Sequence, residues 1–154
     1  MNMLTIPFLK LVPRTLVAGM AVIASAASEP LLPPCPSSPN CVSSLATDSH
    51  FIEPLRFSGD AATAFSRLRD ILTKRTDTRI IAATDSTMQV EFRTRLGFVD
   101  DGKFVLDAPI SVIQVRSAAR VGYWDLGKNR RRMEEIRQQF KRWNGRHAMD
   151  THDR

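Results

Sequence analysis

Apolar and polar positions alternate most cleanly from Thr87 to Arg93, where Met88, Val90 and Phe92 are separated by Gln89, Glu91 and Arg93. A period of two puts the apolar set on one face of a strand and the polar set on the other. Three further strands are expected in this half of the chain. Arg79 to Ala83 runs into the turn-forming Thr84-Asp85-Ser86, Phe98 to Leu106 comes next, and Ile110 to Ser117 is rich in β-branched residues. Asp100-Asp101-Gly102 is a turn signal within the second of these, so the strand proper is expected from Lys103. A short strand is also expected from Ile52 to Phe57. The period changes to 3.6 in two places. Ala61, Ala64, Phe65, Leu68, Ile71 and Leu72 line one face of a helix from Ala61 to Lys74, capped by Ser58-Gly59-Asp60. Met133, Ile136, Phe140 and Trp143 line a second helix, from near Asn129 to Trp143.

The order β-α-β-β-β-β-α predicts an α+β fold: an antiparallel sheet of four to five strands with two helices covering one face. TATA-binding-protein-like and helix-grip folds share this order, an analogy that carries no function. A length of 154 residues suits one such domain, assigned here to residues 48–143. Residues 27–47 form a proline-rich lead-in, and residues 144–154 a flexible tail.

Before the lead-in, Lys10 and Arg14 precede an apolar run from Leu16 to Ile23, and Ala24-Ser25-Ala26 is the small-x-small pattern of a signal peptidase site. The uncharged stretch is shorter than the roughly 20 residues of a membrane-crossing helix. A signal peptide over residues 1–26, cut near Ala26, is therefore expected, and an exported protein, periplasmic or secreted. The alternative is an uncleaved N-terminal anchor. Cys35 follows Pro33-Pro34 rather than a lipobox. Cys35 and Cys41 bracket C-P-S-S-P-N-C, and an oxidising compartment favours a structural disulfide between them. Two thiolates alone do not fill a zinc shell, and the spacing is not that of a C-x-x-C redox pair.

Charge changes the picture at the far end. Overall the chain carries +6, yet residues 27–115 hold 9 basic and 11 acidic residues, while residues 116–154 hold 11 basic and 5 acidic. An exported protein rarely meets nucleic acid, and no aromatics are interleaved to stack bases. The partners that suit this charge are an anionic small molecule, a lipid headgroup, an envelope polymer, a membrane surface or another protein.

Most of the charge lies in R-S-A-A-R-V-G-Y-W-D-L-G-K-N-R-R-R, residues 116–132. Arg116, Arg120, Asn129, Arg130 and Arg131 beside a helix N-terminus form a candidate anion site. Arginines there oppose the helix dipole unless an anion or carboxylates compensate. Asp100, Asp101 and Asp125 are the internal candidates, which would make the cluster a structural ion-pair network. Gly122 and Gly127 suit sharp bends, and Tyr123 and Trp124 are expected to pack beneath the loop. His50 lies near Asp48, Ser43 and Ser44, but no nucleophile elbow accompanies them. His147, Asp150, His152 and Asp153 are a weak metal set in the tail. No catalytic residue, metal site or cofactor is assigned.

C-P-S-S-P-N-C-V-S-S at 35–44, G-F-V-D-D at 97–101 and the arginine-rich segment at 116–132 together resemble the family of domain of unknown function 1499. The resemblance spans roughly residues 31–140. It implies a small, often exported or membrane-attached protein, and it brings no activity. Family members often carry an acidic residue after the paired aspartates, where this chain has Gly102-Lys103. That departure argues against a three-carboxylate metal cluster. Two functional readings follow. One is a non-enzymatic envelope module that binds an anionic ligand or partner through residues 116–132. The other is a hydrolase or transferase acting on an anionic envelope substrate, with Asp101 or Asp125 as acid or base and the arginines as clamp.

Overall fold

In the computed structural model, which describes the backbone of residues 31–150 and the side chains through Trp143, the chain is α+β. The elements are β1 (Cys41–Ser43), β2 (Leu55–Arg56), α1 (Ala61–Thr73), β3 (Thr78–Ala83), β4 (Thr87–Arg93), β5 (Val99–Asp107), β6 (Val112–Ala119) and α2 (Lys128–Asp150), with a short 3-10 turn between β5 and β6. The predicted signal peptide and the tail metal set lie outside the described residues and side chains.

Every strand pairing is antiparallel, in the order β1-β6-β5-β4-β3, with β2 also paired to β6. The strand β1 sits in the lead-in, where the proline-rich composition had suggested irregular chain. Cys41, Val42 and Ser43 extend the sheet beside β6. Asp60 caps α1 by accepting a hydrogen bond from the Thr63 amide at 2.7 Å. Hydrogen bonds from the Thr63 hydroxyl and amide hold the Asp60 carboxyl below the usual carboxylate range.

Both helices cover one face of the sheet. There Met88, Val90 and Phe92 of β4, Phe104 of β5 and Val115 of β6 meet Leu68 and Leu72 of α1 and Ile136 and Phe140 of α2. The alternation seen at Thr87–Arg93 is thus the division between this core and the opposite face, which no helix covers among the described residues.

The Asp100-Asp101-Gly102 turn is a correction. All three residues lie inside β5, paired with Phe92, Glu91 and Val90. The reversal falls earlier, at Thr94 to Phe98, where Gly97 takes the left-handed conformation at φ +85° and the Thr94 amide donates to the Phe98 carbonyl at 2.8 Å. Packing decides the matter. A Cβ on Gly102 would stand 2.5 Å from a ring carbon of Phe92 and 2.6 Å from a methyl of Val90. Here glycine makes room for a core phenylalanine, and the Asp-Gly pair is strand rather than turn.

Candidate functional site

The arginine-rich segment separates into environments on the two faces of the sheet. On the core face, Arg132 is 4% exposed and donates to Asp100, 3% exposed, at 2.9 Å. It also donates to the Asn129 side-chain oxygen at 2.9 Å, and its guanidinium lies 4.5 Å from the centre of the Phe92 ring. The Ser117 hydroxyl donates to that same oxygen, and the Asn129 amide group donates to the Asn40 carbonyl and to Asp125. Asp125 in turn accepts the backbone amides of Gly127 at 2.9 Å and Asn129 at 2.8 Å, closing the N-terminus of α2. That carboxylate compensates the cations placed against the helix dipole. Buried charges of this kind are tolerated when each is paired and hydrogen-bonded.

The remaining predicted residues diverge. Arg130 holds the segment before β2, donating to the carbonyls of Phe51 at 2.8 Å and Ser49 at 2.7 Å. Arg131 donates to the Leu126 carbonyl at 2.7 Å. Neither shares a space with Arg116 or Arg120, so residues 116–132 do not close around one anion. Of the predicted carboxylates, Asp100 serves Arg132, Asp125 serves α2, and Asp101 serves Arg120.

Arg116 of β6 and Arg120, just past the end of that strand, lie on the helix-free face of the sheet, in a basin of about 350 Å³ that Gln89, Asp101 and Lys103 also line. Arg120 holds both oxygens of Asp101, with contacts of 2.7–3.0 Å, and reaches Glu91 at 2.7 Å. These hydrogen bonds raise the Arg120 guanidinium above its usual value, with Asp101 the larger cause and Glu91 the next. Arg116 differs. It stands directly opposite Lys103 across the β5–β6 pair, so two cations face each other on one side of the sheet. Such like-charge neighbours destabilise a sheet. The Arg116 Nε is buried with no hydrogen-bond partner, and one terminal nitrogen reaches the Pro34 carbonyl at 3.3 Å. Burial pushes this guanidinium below its usual value, with Asp101 opposing from outside ion-pair distance. Across β4, Gln89 stands opposite Lys103 and extends the row with an amide donor.

The lead-in walls one side of the basin. Pro33 lines it, and Cys35 is joined to Cys41 on β1 by a disulfide, with Cα atoms 5.7 Å apart. His50 is no part of a serine triad. Its ring nitrogens meet Asp48 at 2.9 Å and the Ser38 carbonyl at 3.2 Å, while the Ser44 hydroxyl donates to Gln114 and the Ser43 oxygen accepts the Leu45 amide. The backbone amide of His50 first, and its ring next, hold Asp48 below the usual carboxylate range.

Tyr123 and Trp124 correct another expectation. They are 73% and 65% exposed and do not pack beneath the loop. Lys103, Gln89, Glu91 and Arg132 are the residues that sequence reasoning passed over as site or network members. Three of them carried a signal. Gln89 and Glu91 belong to the polar half of the β4 alternation, and Arg132 adjoins Met133 on the inward stripe of α2. Lys103 carried none, because its register against Arg116 is long-range.

A family model described as protein of unknown function (DUF1499) matches residues 31–140, and the chain belongs to that family. Neither a curated protein nor a solved structure matches it.

Proposed function

We propose that the chain is an exported, non-enzymatic envelope module that holds a small anionic group, a carboxylate or a phosphate, between Lys103 and Arg116 on the bare face of the sheet. One observation carries this reading. Two cations on adjacent strands face each other without a bridging carboxylate within ion-pair distance, while Asp101 and Glu91 are both engaged by Arg120. An anion between the two would satisfy the Arg116 nitrogens and remove the like-charge repulsion in one step. The site is thus narrower than the arginine-rich segment and extends beyond it to Lys103 and Gln89. Export is supported by the Cys35–Cys41 disulfide, since such bonds persist in oxidising compartments. The alternative of acid–base catalysis by Asp101 or Asp125 gains no support, because Arg120 and the first turn of α2 occupy their oxygens.

The test is a nuclear magnetic resonance titration of labelled protein with phosphate, and separately with acetate, at constant ionic strength. Shifts should concentrate at Lys103, Arg116 and Gln89. They should vanish in Lys103→Met and persist in Arg130→Met. Shifts spread evenly over the basic surface, or unchanged in Lys103→Met, would overturn the assignment.

A further inference from the structure

A second surface stands apart from the basin and owes nothing to it. At one end of the sheet, the β4–β5 turn carries Leu96 and Phe98, 84% and 53% exposed, and the β6–α2 loop carries Val121, Tyr123, Trp124 and Leu126, each at least 60% exposed. A groove of about 460 Å³ runs between the two loops. Six large apolar side chains from two neighbouring loops make a patch of the kind that marks an interaction site.

The backbone beneath these side chains is pinned. Asn40 donates to the Gly122 carbonyl, Arg131 to the Leu126 carbonyl, and the Phe98 amide to the Thr94 hydroxyl. Leu126 takes a left-handed φ of +56°, a conformation that is unfavourable for a non-glycine residue. Fixed loops therefore hold the apolar groups out into solvent.

Of the basic residues in or beside the two loops, Arg95 and Lys128 make no ion pair among the described residues. The nearby carboxylates are already used: Asp100 by Arg132, Asp101 and Glu91 by Arg120, and Asp125 by the first turn of α2. Tryptophan and tyrosine rings favour the headgroup level of a bilayer, and unpaired basic groups attract anionic lipid.

We propose that this end of the molecule docks on an anionic lipid surface. Trp124, Leu126, Leu96 and Phe98 enter the boundary between headgroups and acyl chains. Arg95 and Lys128 meet the lipid phosphates.

Tryptophan fluorescence of the full chain can test this, because one of its two tryptophans, Trp143, is buried, which leaves Trp124 as the accessible reporter. The probes are vesicles of phosphatidylglycerol with acyl-brominated phosphatidylcholine, compared with phosphatidylcholine alone. Emission should shift to the blue and be quenched on the anionic vesicles, and Trp124→Phe should abolish the change. Leu96→Ser should weaken binding about tenfold and Lys128→Glu about fivefold, with melting temperatures unchanged. Protein that sediments with the vesicles while Trp124 stays unshifted and unquenched would overturn the proposal, attachment then resting on another part of the chain. A blue shift that appears without vesicles and grows with protein concentration would also overturn it, and would name a second copy as the occupant.

Discussion

Arg132 and Arg116 belong to one short stretch of sequence and end on opposite faces of one sheet. Arg132 points into the core face and finds Asp100, Asn129 and the Phe92 ring. Arg116 points to the bare face and finds a carbonyl at 3.3 Å and a lysine across the strand. The difference shows that a dense run of arginines is not a site in itself. What each member becomes depends on the partners its place in the fold brings within reach: carboxylates for Arg120 and Arg132, backbone carbonyls for Arg130 and Arg131.

The comparison breaks hardest at Arg132. Arg132→Met strands the buried Asp100 carboxylate, which should cost about 3–5 kcal/mol. Urea denaturation would show it as a large fall in midpoint, and pairing the change with Asp100→Leu should recover much of the loss. Gly102→Ala probes the same face through packing. Its methyl group would meet Phe92 and Val90, at a cost of about 1–3 kcal/mol in the same assay.

Acid should weaken the core-side network through Asp77. Partial burial pushes Asp77 up, but hydrogen bonds and charge from Arg75, then Thr78 and Arg132, outweigh it and hold Asp77 below the usual carboxylate range. A folded value below the unfolded one means that the stabilisation is complete above about pH 4 and is lost as pH falls through the folded value. Stability measured against pH should therefore decline on that acid limb, and Asp77→Asn should flatten it.

The smallest effect sharpens the comparison most. Lys103→Met removes one of two facing cations, so stability should change by no more than about 0.5 kcal/mol, and in the favourable direction. A clear loss would mean that the lysine serves structure after all.

Both helices, the division of β4 into inward and outward residues and the antiparallel α+β order could be read along the chain, because each rests on local periodicity. The failures had a common cause in contacts between distant residues. Asp100-Asp101-Gly102 has turn chemistry, but Arg132 lies 32 positions away from Asp100 and claims its carboxylate. Proline-rich chain before Val42 gave no sign that three residues would pair with β6. Tyr123 and Trp124 have core composition, and only the pinned loop backbone shows that they face outward. The candidate site was legible as a basic segment but not as a row, since Lys103 meets Arg116 through register alone.

The most direct measurement is the melting temperature of the wild type, Lys103→Met and Arg132→Lys across a phosphate series, with chloride keeping ionic strength constant. Phosphate stabilises folded proteins generally, so the difference between variants is the signal. The wild type and Arg132→Lys should gain the same extra stabilisation over Lys103→Met, whatever their starting temperatures. Equal gains in all three would contradict an anion held between Lys103 and Arg116.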